Sequence, residues 1–361
     1  MTTSMTRRDS LKLAAAGVAA TTFATESTFA KSKVAPKLAV STASYMIRGR
    51  LKRQRGLPPD VPVFRDAVHF VEHCHQLGAG GVQVGVGAWH LDGTAKKVRA
   101  RAEEFGMVIE GQIGLPRNED SVDEFERSVK AGKEAGVLIF RTVMLGGRRY
   151  ETFKTKASWE EFRKDSWKRL TLAEPIMRRH GVKLALENHK DWRVDEMRAI
   201  LERISSEHVG VNLDMGNNIS LLEDPMEVIV MLAPFTMTTH IKDMGVREYE
   251  DGFLLSEVPF GDGFVDIPRA VEICRKANPN VQFNLEMITR DPLKVPCLTD
   301  AYWETFDRLP AKVLARALAM VKKNPSKKDL PTIAGMSLAE QVAFEEENNR
   351  KSFEWWKRVI G

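Results

Sequence analysis

A chain of 361 residues, 43% hydrophobic, can bury a large core as one big domain or two ordinary ones, which excludes disorder as its general state. Lys and Arg number 54 against 49 Asp and Glu, a formal charge of +5, and the basic residues are interspersed with acids, which argues against a nucleic-acid partner. Cys74, Cys274 and Cys297 fall at no zinc-ribbon or redox-pair spacing and read as buried free thiols.

The first thirty residues differ in kind from the rest. TRRDSLK (Thr6 to Lys12) sets Arg7 and Arg8 before a short apolar run, LAAAGVAA, and small residues follow up to Ala30. This resembles a twin-arginine export signal over residues 1–30, although Ser10 stands where such signals carry a large apolar residue. It implies folding in the cytoplasm, hand-over to the twin-arginine machinery and work in the periplasm or beyond. An uncleaved anchor or a basic tail is the alternative. Nothing downstream is long and apolar enough for a stable membrane span.

From Lys37 onward, eight apolar stretches read as strands: KLAVSTASY, GGVQVGV, MVIEGQI, VLIFRTVM, VKLALEN, VGVNLDM, FTMTTHI and VQFNLEM. Helical patterns such as SVDEFERSVKAGKEAG and VDEMRAILERISSE lie between them. Strands apolar on both faces suit a parallel sheet, and the stretch from 38 to about 290 has the size of a (β/α)8 TIM barrel. A doubly wound sheet is the alternative, but no Gly-rich phosphate loop follows the first strand. We expect the barrel over 37–295 and a helical extension over 296–361 that braces it.

The last four strands end in ALE, NLD, TTH and NLE, placing Glu187, Asp214, His240 and Glu286 at their C-terminal edges. In a barrel those edges share one mouth, where active sites of this fold sit. One such residue alone reads better as a helix cap, but four on consecutive strands do not. Three crowded carboxylates repel one another unless a cation lies between them. Oxygen ligands with a single imidazole predict one divalent ion, Mn2+ first, with Mg2+, Co2+ or Zn2+ as alternatives.

With the phrases LALENH, NLDMGN, HIKD and NLEM, these residues resemble the xylose-isomerase-like barrels, which include sugar isomerases, ketose 3-epimerases and inosose dehydratases. The resemblance implies that Glu187 and Glu286 are both ligands and acid/base groups on either side of a substrate. The chain departs from the ketose 3-epimerases at two places. Asn217 stands where they have a His three residues after the metal Asp, and Val246, followed by Arg247, where they have an Arg.

The chemistry also follows without the family. A divalent ion polarises a sugar carbonyl and stabilises the enediolate left when a carboxylate removes the neighbouring proton. Proton return to the opposite face gives epimerisation, return to the next carbon isomerisation, and loss of a β leaving group elimination. His189 and Lys242 lie two residues past Glu187 and His240, so continued strands would point them into the mouth. A helix cap for His189 and a loop ion pair of Lys242 with Asp243 are the bland alternatives. Asn217, Arg141, Trp89 and His90 complete the expected substrate contacts, with ordinary packing favoured for Trp89. ITRDPLKV, residues 288–295, reads as a loop that closes over the site or is held rigid by Pro292. We therefore expect an exported sugar isomerase or epimerase acting on an unphosphorylated substrate. A keto-sugar or keto-glycoside lyase or hydratase comes second and a non-catalytic carbohydrate-binding protein third, and whether the chain forms a homo-oligomer stays open.

Overall fold

In a computed structural model, which describes residues 36–51, 61–306 and 309–361, all eight predicted strands form a closed parallel barrel. The twin-arginine segment lies outside the described residues. The barrel strands are β1 (Leu38–Ser41), β2 (Gly81–Gly85), β3 (Val108–Gln112), β4 (Ile139–Thr142), β5 (Lys183–Glu187), β6 (Val209–Asp214), β7 (Thr236–Ile241) and β10 (Gln282–Leu285). Neighbours in sequence are neighbours in the sheet, and β10 closes the ring between β7 and β1. This is the (β/α)8 arrangement, with helices such as Val122–Glu134 and Val194–Ile204 between strands.

Helix packing onto the barrel follows from sequence spacing. Val194, Met197 and Leu201 recur at helical intervals and are the buried face of Val194–Ile204. Gly132, inside helix Val122–Glu134, lets Phe140 of β4 lie against that helix, because a Cβ there would sit 2.5 Å from the ring. The three cysteines are free and buried.

One feature has no counterpart among the predicted elements. Between β7 and β10 the chain makes an antiparallel hairpin, β8 (Asp243–Tyr249) and β9 (Gly252–Val258), and β11 (Leu293–Val295) joins it as a third strand. The two-residue turn is Glu250-Asp251, and Gly252 follows it as the first residue of β9, paired with Tyr249. Since β11 pairs with β9, and Asp291 accepts from Thr332 and from the amides of Ile333 and Ala334, the 288–295 segment is tied into sheet and extension rather than free to swing.

The extension contains helices Asp300–Trp303, Ala311–Lys323 and Leu338–Val359. Ser337 and Glu340 start the last helix with a capping box. That helix packs where β1 leaves the barrel. Its buried Glu345 accepts from the amides of Ile47 (2.6 Å) and Arg48 (3.1 Å), Asn349 donates to Ser44 O, and Trp356 packs on Phe283 of β10. No helix among the described residues is long and apolar enough to cross a membrane.

Candidate metal centre and sugar site

The ends of β5, β6, β7 and β10 bring Glu187, Asp214, His240 and Glu286 together, with one potential ligand atom from each all within 4.8 Å of one another. All four are buried. Local structure fixes each carboxylate. Asp214 Oδ1 accepts from the amides of Gly216 (2.9 Å) and Asn217 (2.7 Å), which leaves Oδ2 directed at the centre. Gly216 lets two side chains pack closely, since a Cβ there would meet Met244 Sδ at 2.6 Å and Lys242 Cδ at 3.0 Å. The Asn188 side chain both donates to Asp214 O and accepts from Asp214 N, tying β6 to the end of β5.

Glu187 Oε1 accepts from Asn217 Nδ2 (3.0 Å) and its Oε2 from Arg141 Nε (2.5 Å). Lys242 Nζ donates to Glu286 Oε2 and lies 2.7 Å from Asp214 Oδ2, at an angle that makes no hydrogen bond. Asn217 Oδ1 in turn accepts from Lys190 Nζ. The carboxylates are thus partly neutralised by the chain's own cations, Arg141 and Lys242.

His240 decides what the centre fits. Gln83 turns its Nε2 toward Glu110 and Asn212, so its Oε1 is left to accept from His240 Nε2 at 2.7 Å. That places a proton on Nε2. Nδ1 then faces Glu187 Oε2 and Glu286 Oε1, each at 3.1 Å, and Asp214 Oδ2 at 3.9 Å, with no hydrogen bond to any. A buried nitrogen among three anionic oxygens needs a cation. Adjacent ligands of an octahedral ion with bonds of about 2.1 Å lie about 3 Å apart, so a hard divalent ion suits these spacings. The residues fit a metal.

The electrostatics agree. Burial opposes ionisation of Glu187, but Arg141 and His240 outweigh it and hold the carboxyl well below its ordinary value. Burial likewise opposes charge on Glu286, and His240 and Lys242 outweigh it. Asp214 is raised to about 6 by burial, against the pull of Lys242. Burial lowers His240, yet Glu286 and Glu187 raise it to about 9, so a proton takes the place at Nδ1 that a metal would fill. His189 is driven down to about 3 by burial and by Lys190, and is a neutral imidazole at neutral pH.

Of the other expected contacts, Asn217, Lys242 and Arg141 join the cluster directly. His189 sits within its electrostatic reach, and its buried Nδ1 has no hydrogen-bond partner. Lys242 pairs with Glu286 and Asp214, not with Asp243, whose carboxylate instead accepts from the amides of Met244, Gly261, Gly263 and Val265. Trp89 is packed in the core and also lines a cavity of about 500 Å³ at the mouth. His90 turns away, its Nε2 3.3 Å from Glu124 of helix Val122–Glu134, and takes no place in the cluster. Arg247 is likewise remote, paired with Asp329. Three buried or half-buried residues of the network were not foreseen: Lys190, Glu257 of β9, whose Oε1 lies 4.0 Å from Lys242 Nζ, and Arg290, which pairs with Glu257 at 2.6 Å. A lone Glu in the apolar run GFLLSEV was the available signal.

Residues 71–322 match the xylose isomerase-like TIM barrel family. The chain belongs to that family. It is 25% identical over 189 residues to the 3-oxo-isoapionate decarboxylase of Pectobacterium atrosepticum, spanning 52% of this chain and 63% of that relative's length. Its fold is shared with a xylose isomerase-like barrel protein of Mycobacterium smegmatis in complex with magnesium (TM-score 0.53, 18% identity, covering 79% of this chain and 98% of that one). The 3-keto-D-glucoside 4-epimerase of E. coli is similar at TM-score 0.52 and 15% identity, covering 80% and 99%.

Proposed function

We propose that this protein is a metal-dependent enzyme that moves a proton beside the carbonyl of an unphosphorylated sugar, as an isomerase or epimerase. The observation that carries the reading is the pair of carboxylates, Glu187 from β5 and Glu286 after β10, converging on one cation centre from opposite sides of Asp214 and His240. A divalent ion held by these four residues would polarise a carbonyl oxygen and stabilise a neighbouring enediolate.

The chain's own groups divide the remaining work. Both oxygens of Glu187 accept hydrogen bonds, from Asn217 and Arg141, whereas Glu286 accepts from Lys242 on Oε2 and turns Oε1 to the centre beside His240 Nδ1. Glu286 is therefore the better proton acceptor. Lys242, beside Glu286, is placed to offer an N–H to a developing oxyanion. Neutral His189 can donate to or accept from a substrate hydroxyl.

The relative named as a decarboxylase gives a second reading, a lyase on a keto-sugar. Arg141's hold on Glu187 favours its decarboxylating form, since loss of carbon dioxide leaves the electron pair on the enediolate without a base, and a clamped, weakly basic carboxylate then suffices. Turnover of a keto-sugar panel in heavy water separates the readings. Deuterium at one carbon with inverted configuration, or a moved carbonyl, is the expected result. An unsaturated or shortened product would establish the lyase, and turnover without exchange would replace both with a hydride shift. Glu286→Gln should lower exchange by about 10²–10⁴-fold. Glu187→Gln should lower it less, and equal activity of both variants with wild type would refute the two-carboxylate role.

Export belongs to the same proposal, since sugars without phosphate are the ones met outside the cytoplasm. Replacing Arg7 and Arg8 with Lys should hold the precursor in the cytoplasm on cell fractionation. Unchanged export would refute it.

A further inference from the structure

Next to the cluster lies a second cavity of about 440 Å³, lined by Thr42, Ala43, Met46, Gly49, Arg50, Gln112 and Arg141. Its volume is that of an ordinary small-molecule site and exceeds what one monosaccharide fills. Its place is fixed by bonds. Gln112 connects through Gln83 to His240, and Arg141 bonds directly to Glu187, so a sugar lying over the cation centre extends into this space.

Among the described residues, the charged side chains of its wall are Arg50 and Arg141, with no carboxylate. Arg50 is exposed and has no carboxylate within ion-pair distance among the described residues, its guanidinium meeting only Met46 Sδ at 3.0 Å. The neighbouring cavity at Trp89 is different. It carries Asp66 and Asp92, but both are occupied in accepting backbone amides, from His69 and Thr94. One lobe of the mouth thus presents Arg50 and the Glu187-paired Arg141, and the other presents aromatic side chains with Asp66 and Asp92.

The buried network points the same way. The carboxylates of Glu187, Asp214, Glu286 and Glu257 lie among four cations, of which Arg141 pairs with Glu187, Lys242 with both Asp214 and Glu286, and Arg290 with Glu257, while Lys190 donates to Asn217. A divalent ion adds positive charge to a balanced, water-poor site, and a negatively charged ligand offsets it.

We infer that the substrate is a sugar acid, its carboxylate received by Arg50 and Arg141 in the cavity beside the cation centre. Guanidinium groups suit a planar carboxylate, which they meet with paired N–H donors. The inference rests on the reading that this site takes a carbonyl sugar, and names the substrate class for it.

The test uses the purified Mn2+-loaded protein and calorimetric titration with D-gluconate and D-glucitol, which differ in a single carboxylate. Gluconate should bind at least about tenfold more tightly, the scale of one charge-assisted contact. Arg50→Gln should reduce that preference to about threefold or less and Arg50→Lys should retain most of it. The position is exposed, so neither variant threatens the fold. Equal binding of the two probes, or binding of neither, would overturn the inference, while the sugar reading stands or falls separately on turnover of the keto-sugar panel. An unchanged preference in Arg50→Gln would send the carboxylate to the ion instead and overturn the inference. Tighter binding of glucose 6-phosphate than of gluconate would also overturn it.

Discussion

The two halves of the barrel mouth are built on different principles. From β5 round to β10, every strand end delivers a charged or metal-competent side chain, and these are buried and paired among themselves. From β1 to β4 the strand ends deliver Thr42, Gln83, Gln112 and Arg141, mostly neutral hydrogen-bonding groups, and the open volume lies on their side. The difference teaches a division of labour. One half gathers a cluster that could hold a divalent ion, and the other leaves open volume beside it while orienting the His240 imidazole through Gln83.

The largest effect should come from breaking the charged half. Asp214→Ala removes the ligand whose Oδ1 is held by two backbone amides and whose Oδ2 has no other hydrogen-bond partner. Elemental analysis should fall from about one divalent ion per wild-type chain to well under half in the variant, with activity reduced by about a thousandfold or more. Full metal content in the variant, or full wild-type activity after EDTA treatment, would remove the cation from the account.

Much of the charged half was legible in the sequence, and the reason is periodicity. Each of its ligands ends an apolar run, so strand recognition and site recognition are one step, and Glu187, Asp214, His240 and Glu286 emerge together. The neutral half hid itself. Gln83 and Gln112 look like ordinary strand residues, and their role depends on cross-barrel contacts that no local pattern encodes. Lys190, Glu257 and Arg290 were missed for the same reason. Arg290, just before β11, meets Glu257 of the hairpin, which the β/α rhythm left no place for. His90, adjacent in sequence to Trp89, was drawn to Glu124 because it lies on a short helix facing another helix, not on a strand end.

A smaller effect tests the link between the halves. Gln83 fixes the His240 tautomer from the neutral side, with Glu110 and Asn212 setting its own orientation. Gln83→Met keeps the volume and removes the acceptor. Partners of this kind are worth about 10–100-fold in metal affinity, and that loss should be readable by chelator competition. Leaving Glu110 and Gln112 with one partner fewer should also cost about 1–3 kcal/mol of stability. Unchanged affinity would show that the imidazole is oriented by packing alone.

The smallest effect concerns the support of the neutral half and leaves the cation centre untouched. Helix Met46–Leu51, which supplies Met46, Gly49 and Arg50 to the cavity, is fastened to the C-terminal extension through Glu345, whose carboxylate takes the amides of Ile47 and Arg48. Burial raises that carboxyl from its ordinary 4.5 to about 7, against the pull of those amides. The folded protein therefore keeps the proton up to about pH 7, while the unfolded chain gives it up near 4.5. Between those values the folded state binds more protons, so this group's contribution to stability is full below about pH 4.5 and is lost as pH rises to about 7. The shift corresponds to about 3 kcal/mol across that window. Glu345→Gln abolishes the titration. Asp191, Glu223 and Asp243, also raised by burial, act with the same sign in both proteins and cancel in the difference. Denaturant unfolding at pH 4.5 and 7.5 should show wild type losing about 2–3 kcal/mol more than the variant over that interval. Parallel pH profiles would mean that Glu345 titrates normally, and that the extension holds the cavity wall by its apolar contacts at Phe353 and Trp356 instead.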